Sequence, residues 1–326
     1  MKTVIVTGGL GFIGSRLALA LLSEGLRVVV VDCKTYAADL RNLENQDANA
    51  DLALHLRNIT EDGLWPTLLS IYEPDCIYHL AAESHVDRSI IDPSVFFESN
   101  VRGSVAILNA VLDSGQRPRI VYMSTDEVYG SLAEGDAPFT EANTFKPSSA
   151  YSASKAAADG YMQAYARTYG LDIVIARPTN NYGPAQHPEK LIPKAIAYAT
   201  EGVVFPLHAD GSALRDWLHV DDCVRALQII ADRGVKGEAY GISSVEPRTN
   251  RQVLDRLKEL TGTLRYASVP DRYGSDWRYA TNPAKMRSLG WEPTVKFDDA
   301  LSDVIEWYRS NPWRLLHAIS PTQAAA

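Results

Sequence analysis

Between Thr3 and Asp32 the chain runs TVIVTG, GLGFIG, a helical stretch to Gly25, and RVVVVD. Glycines 8, 11 and 14 fall where a β-branched strand passes into a helix. This pattern permits few folds. Missing side chains let the backbone turn tightly and approach a pyrophosphate, which rests on the N–H groups of the helix N-terminus. Phe12 and Ile13 lie inside that turn. Asp32 ends the second strand, where a carboxylate binds both hydroxyls of an adenosine ribose and repels a 2′-phosphate. The expectation is a Rossmann-type nucleotide fold that takes NAD in preference to NADP.

The alternation continues. LALHL (52–56), DCIYHLAA (75–82), RIVYMS (119–124) and LDIVIAR (171–177) read as strands. Helices are expected from about Glu61 to Ile71, Pro93 to Ser114 and Ser148 to Tyr169. Such alternation implies a parallel, doubly wound α/β sheet with right-handed crossovers. After Arg177 the texture changes. PTNNYGPAQHPEK (178–190) reads as a functional loop, followed by a helix at 191–201, a strand entering a helix at RDWLHVDDCVRALQIIADRG, and a strand at 239–243. The rest reads as helical and irregular, with a frayed tail from about Pro321. The expected division is a nucleotide-binding domain of residues 1–177 plus about 211–242, and a smaller mixed domain of 178–210 and 243–326.

Composition narrows the functional classes. The 326 residues are 46% hydrophobic and 22% charged, with formal net charge −8. An acidic chain is a poor general binder of nucleic acid or anionic membrane, so a polyanionic ligand has to be met by a local positive cluster. There is no apolar run of spanning length and no cleavable signal pattern, so a cytoplasmic location is expected. Cys33, Cys76 and Cys223 are far apart and show no zinc-ligand spacing. They read as free, buried thiols in a reducing compartment.

Two further motifs carry chemistry. Tyr151 and Lys155 in YSASK sit four apart on a helix, with the phenol and ammonium on one face, where a cation favours the phenolate. Ser124-Thr125-Asp126-Glu127-Val128-Tyr129-Gly130 follows the fifth strand, at the carboxyl edge where open α/β sheets bind ligands. Adjacent carboxylic residues there can divide into a protonated acid and an ionised base.

With TGGLGFIG, HLAAESHVDRSI (79–90), STDEVYG, YSASK, NNYGPAQHPEKLIP and RDWL in place, the chain resembles the dTDP-glucose 4,6-dehydratase family of extended short-chain dehydrogenases/reductases from residue 3 to about 292. The resemblance implies a nucleotide-sugar substrate and NAD as a bound cofactor. Tyr151 would take the proton of the sugar C4 hydroxyl, Thr125 would hydrogen-bond the same oxygen, and Lys155 would hold the nicotinamide ribose. Glu127 would remove the C5 proton and Asp126 would protonate the departing C6 hydroxyl. The cofactor set would comprise Gly8, Gly11, Phe12, Ile13, Gly14, Asp32, Thr35, Asn58, Ile59, Ala81, Ser99, Tyr151 and Lys155. Substrate would be held by Ser84, Thr125, Asn180, Glu189, Lys190, Arg215, Asn250 and Arg272. Helices 93–114 and 148–169 would pair across a homodimer axis.

The chain also departs from the family. Asn58 stands where an aspartate is common, leaving an acceptor oxygen for adenine. Lys34 is displaced by one place, and Ser275 replaces a histidine near the nucleotide. Alternatives are a 4-epimerase, which uses Tyr151 but rotates the keto-sugar, and a non-catalytic NAD sensor, which needs only the glycines and Asp32.

Overall fold

The computed structural model describes residues 1–44, 50–271, 276–316 and 318–319. Arg272, Ser275 and the tail from Pro321 therefore lie outside the described residues. The strands in chain order are β1 (Thr3–Thr7), β2 (Arg27–Asp32), β3 (Leu52–Leu56), β4 (Cys76–His79), β5 (Arg119–Met123) and β6 (Ile173–Pro178). They continue as β7 (Asn180–Tyr182), β8 (Val204–His208), β9 (Leu214–His219), β10 (Ala239–Ile242), β11 (Pro247–Thr249) and β12 (Arg265–Val269).

Seven of them form one parallel sheet, ordered β10-β6-β5-β4-β1-β2-β3. The doubly wound expectation holds. Strand direction of travel reverses between β1 and β4, and a crevice opens there at the carboxyl ends. Near-continuous apolar runs such as RVVVVD exist because both faces are covered. Val4, Val6, Val28, Val30, Tyr78 and Val121 face one way, into a core with helices Phe12–Ser23 and Val220–Arg233. Ile5, Val29, Val31, Ile77, Ile120 and Tyr122 face the other, toward helices Leu64–Tyr72, Gly103–Ser114 and Ala150–Tyr169.

A separate apolar cluster unites helices Leu191–Glu201, Asn250–Thr261 and Phe297–Ser310. Beside it lie a three-stranded sheet, β11-β9-β7, and a parallel pair, β12-β8. β9 thus pairs away from the large sheet, whereas β10 joins it. Met286 and Trp291 are buried in the core of the larger sheet.

Three local expectations are corrected. The helix expected over 93–114 is divided: an α-turn (Pro93–Phe96), a π-helical stretch (Phe97–Arg102) and the α-helix Gly103–Ser114. The wider turn carries Asn100, whose buried amide accepts from Glu83 N–H (2.8 Å) and donates to Glu83 O (2.9 Å) and Ser154 Oγ (2.8 Å). The segment 178–190 is not all loop, since it contains β7. Cys33 is exposed, although Cys76 and Cys223 are buried and all are free. No helix among the described residues is long and apolar enough to cross a membrane.

Candidate active site

The glycine turn forms as its residues require. Gly8 has φ +69°, and a Cβ there would lie 2.9 Å from the Ala81 backbone. A Cβ on Gly14 would come within 2.1 Å of the Gly8 carbonyl oxygen. Only bare backbone fits, and the space saved forms a cradle at the start of the helix, whose cap Gly11 supplies no side-chain bond and whose first turn carries no acidic residue. The cradle and its neighbours suit a dinucleotide pyrophosphate. Beneath it, Thr7 Oγ1 accepts from the N–H groups of Leu80 (3.1 Å) and Ala81 (3.0 Å). Its own proton is therefore given to His79 Nδ1 (2.9 Å), which leaves His79 Nε2–H to donate to Ser104 Oγ (2.9 Å). Burial first, and Lys155 second, push the His79 pKa down to about 3, so this ring is neutral.

Above the cradle lies a cavity of about 420 Å³. Gly8, Gly11, Phe12, Ile13, Gly14, Asp32, Thr35, Asn58, Ile59, Ala81 and Ser99 line it, as do Thr125, Asp126, Glu127, Tyr151 and Lys155. Of the expected substrate residues, Ser84, Asn180, Glu189 and Lys190 line it too. Arg215 and Asn250 do not. The Arg215 guanidinium donates to the carbonyls of Leu214 (2.8 Å), Trp277 (3.3 Å) and Asp276 (2.8 Å) and stacks over Tyr279. Asn250 opens a helix, its N–H donating to Ala213 O (3.1 Å).

Asp32 Oδ2 accepts from Leu10 N–H (3.0 Å) and Oδ1 from Lys34 N–H (2.8 Å). Lys34 thus enters through its backbone, in the left-handed region at φ 52°. The acceptor expected of Asn58 is already committed. Its Oδ1 takes Thr60 N–H (3.0 Å) and Thr60 Oγ1–H (2.9 Å), which leaves the amide nitrogen as the group to offer a ligand.

The reactive groups sit at the β5 end. Thr125 caps a single 3₁₀ turn, Asp126–Tyr129, by accepting Glu127 N–H (3.3 Å). Asp126 is 1% exposed and its Oδ2 makes no hydrogen bond. Burial, then the charges of Glu127 and Asp216, raise its carboxyl well above the usual range against the pull of Arg215. It stands beside a half-buried Glu127. Tyr151 is buried, and its hydroxyl is held far above the ordinary phenol range by desolvation and by Glu127, opposed by its hydrogen bond with Thr125. Lys155 Nζ donates to Met123 O (2.5 Å) and lies over the Tyr122 ring. Burial brings its pKa down to about 7, with Asp159 pulling the other way. The lysine stabilisation of the phenolate expected from YSASK is thus not what governs Tyr151 in the free protein. Burial disfavours the charged form of both groups.

Sequence reasoning passed over Thr179. Its Oγ1, like Ser124 Oγ and Asn180 Oδ1, is buried on the cavity without a hydrogen-bond partner. Orphaned polar atoms gathered on one wall mark where a polar ligand belongs. The signal was a threonine ending a strand beside NNYGP, which a loop assignment conceals.

A nucleotide cradle on a parallel sheet, with Tyr151 and Lys155 on the neighbouring helix, defines an extended short-chain dehydrogenase/reductase. The profile of the GDP-mannose 4,6 dehydratase family matches residues 5–304. A dTDP-glucose 4,6-dehydratase of Xanthomonas campestris pv. campestris (strain B100) is 40% identical over 331 residues, covering 95% of this chain and 94% of that one. The structure of DesIV, a dTDP-glucose 4,6-dehydratase from Streptomyces venezuelae with NAD bound, superposes with TM-score 0.91 at 41% identity, covering 96% and 98%. A UDP-glucose 4-epimerase of Thermotoga maritima shares the architecture at TM-score 0.89 and 28% identity, covering 95% and 100%. The chain belongs to the dTDP-glucose 4,6-dehydratase family.

Proposed function

We propose that the chain converts dTDP-glucose to its 4-keto-6-deoxy product by eliminating water, with NAD as resident cofactor. One observation carries the choice of dehydratase over 4-epimerase: Asp126, buried and with its carboxyl pKa raised well above the usual range, stands beside Glu127 on the cavity that Tyr151 lines. Epimerisation at C4 needs no second acid and base. Elimination across C5–C6 needs both.

Gly8, Gly11, Phe12, Ile13 and Gly14 would cradle the cofactor pyrophosphate, Asp32 its adenosine ribose and Lys155 the nicotinamide ribose. Thr35, Asn58, Ile59, Ala81 and Ser99 would complete that side. When bound, NAD supplies a hydride acceptor and donor within one turnover. Tyr151 takes the C4 hydroxyl proton with Thr125 bonded to the same oxygen, and Lys155 is the cation that favours the phenolate once drawn from Met123 O. The C4 ketone acidifies C5–H. Glu127 then removes the C5 proton, and Asp126 gives its own to the departing C6 hydroxyl. Asp126 is fitted to this step because burial, with Glu127 and Asp216, raises its carboxyl pKa well above the usual range.

Ser84, Asn180, Glu189 and Lys190 would hold the sugar nucleotide within the cavity. Arg215 and Asn250, which do not line the cavity, and Arg272, outside the described residues, would hold its diphosphate and base. The proposed division, 1–177 with about 211–242 against 178–210 with 243–326, is supported by the separate apolar cluster of the second part, although that cluster also takes in Trp217 of β9 and the core of the larger sheet takes in Met286 and Trp291. Exposed Phe97, Tyr161 and Tyr169 within 93–114 and 148–169 support a homodimer through those helices. Free cysteines suit a cytoplasmic enzyme.

The test is incubation of the NAD-loaded protein with dTDP-glucose, UDP-glucose and GDP-mannose, followed by mass spectrometry. Loss of one water from dTDP-glucose is expected. Inversion at C4 without loss of mass would assign the epimerase instead.

A further inference from the structure

Two stretches distant in sequence line the cavity: Thr35–Ala38, which follows Asp32, and Gln186–Lys190, which follows β7. Both are tied to a residue that does not line it. Arg314 lies on the 3₁₀ turn Pro312–Leu315 and is 6% exposed. Its Nε (3.2 Å) and Nη2 (2.8 Å) donate to Ala185 O, and Nη2 also reaches Ala37 O (3.4 Å). Its Nη1 stands 3.8 Å from Asp39 Oδ2.

Each side is anchored further. Asp39 N–H donates to Leu10 O (3.0 Å), inside the glycine turn, and Arg41 stacks 3.7 Å over Trp313, the neighbour of Arg314. On the other side Tyr308 Oη donates to Gln186 O (2.6 Å). Ala185 is held at φ +68°, a backbone region a side-chain-bearing residue seldom adopts unless its surroundings impose it. The two hydrogen bonds from Arg314 to the Ala185 carbonyl are such an imposition. A guanidinium is a rigid planar fork able to serve two carbonyls and a carboxylate at once, which a lysine ammonium cannot reproduce.

We infer that Arg314 is a positioning residue that couples the two loops, so that filling one side of the cavity tightens binding on the other. The inference rests on the proposed function only for what each loop holds, NAD beside Thr35–Ala38 and the nucleotide sugar beside Gln186–Lys190. Ordering one loop through Arg314 fixes Ala185 or Ala37 in advance, and the second ligand then orders less on its own account. By linkage the effect is reciprocal.

The experiment is calorimetric titration of NAD into the full chain, with and without saturating thymidine diphosphate, for the wild type and for Arg314→Lys. Hydrogen exchange is followed over residues 35–41. For the wild type, thymidine diphosphate should tighten NAD binding about fivefold or more and protect the 35–41 amides. In Arg314→Lys, which keeps the charge and the aliphatic stem, each ligand should bind alone while the ratio falls to about one. A wild-type ratio of one, absent protection of 35–41, or an undiminished ratio in Arg314→Lys would each overturn the coupling. A variant that failed to fold would leave the wild-type exchange measurement to decide. Failure of the wild type to bind either ligand would overturn the proposed function, whereas binding of both without coupling would overturn this inference alone.

Discussion

Arg177 and Asp159 form a buried, doubly hydrogen-bonded ion pair, Nε to Oδ2 at 2.9 Å and Nη2 to Oδ1 at 2.8 Å. Arg177 belongs to β6, and Asp159 lies on the helix that carries Tyr151 and Lys155. The remaining nitrogen, Nη1, donates to Tyr129 Oη (2.6 Å), at the end of the turn that presents Asp126 and Glu127. One guanidinium therefore fixes the acid turn against the helix of the tyrosine and lysine.

Breaking this pair from one side should be costly. Asp159→Asn leaves the Arg177 charge buried and uncompensated, and urea unfolding should show a loss of about 3–5 kcal/mol. Replacing both partners, as in Asp159→Leu with Arg177→Met, removes the stranded charge and should recover much of that loss. Equal losses in the single and double variants would show that the ion pair itself supplies the stability.

Cofactor recognition gives a second expectation. Gly14→Ala places a Cβ 2.1 Å from the Gly8 carbonyl oxygen, against backbone that has little room to yield. NAD affinity should fall at least tenfold, about 1.4 kcal/mol. Asp32, facing the same cavity, should make NAD bind at least about tenfold more tightly than NADP. Asp32→Ala should narrow that gap by weakening NAD more. Fluorescence titration checks both, and equal affinity of the wild type for the two cofactors would contradict the role of Asp32.

The large sheet and most of the cavity were legible because their signals are local. Strand runs such as RVVVVD need covering on both faces, and glycines at 8, 11 and 14 leave one use for the turn. What escaped depends on partners far along the chain. β8 carries Pro206 in its middle and β12 mixes Arg265, Ala267 and Ser268 with apolar residues, so neither shows a strand's alternation. Each is a strand because the other lies beside it in register from Val204 and Arg265 to His208 and Val269. The same holds in the site. That Arg215 would be taken by the carbonyls of Asp276 and Trp277 depends on chain about sixty residues on, whereas the capture of Asn58 Oδ1 by Thr60, two residues on, is a local turn contact that residue type does signal.

His79 makes stability depend on pH. Its pKa is about 3 in the folded protein and near 6.5 when unfolded, so between these values the unfolded chain binds more protons. This contribution is present above pH 6.5 and is lost as pH falls toward 3, with a slope of up to about 1.4 kcal/mol per pH unit. Gln at 79 can accept from Thr7 and donate to Ser104 without titrating. Unfolding free energies measured from pH 4 to 7 should therefore fall less steeply with acid in His79→Gln than in the wild type. Parallel curves would remove His79 from the account.

In the proposed reaction, Asp126 and Glu127 separate dehydration from the simpler reactions of the same fold. Asp126→Asn nearly keeps the shape but has no proton for the C6 hydroxyl, and Glu127→Gln has no base for C5–H. Each should slow formation of the dehydrated sugar by about 10²- to 10⁴-fold, the usual contribution of a general acid or base. The two losses should differ in kind. With Glu127 intact, Asp126→Asn should still exchange the substrate C5 hydrogen for deuterium in D₂O, because proton removal precedes departure of the hydroxyl. Glu127→Gln should show neither product nor exchange. Tyr151→Phe should lose both as well, since C5–H becomes acidic only after the C4 hydroxyl has given up its proton. Wild-type activity should also decline at the pH where Asp126 ionises, well above the usual carboxylate range, because the acid is then spent before substrate arrives. Mass spectrometry of product and recovered substrate reads each outcome. Near-normal dehydration in both carboxylate variants would show that the acid and base lie elsewhere.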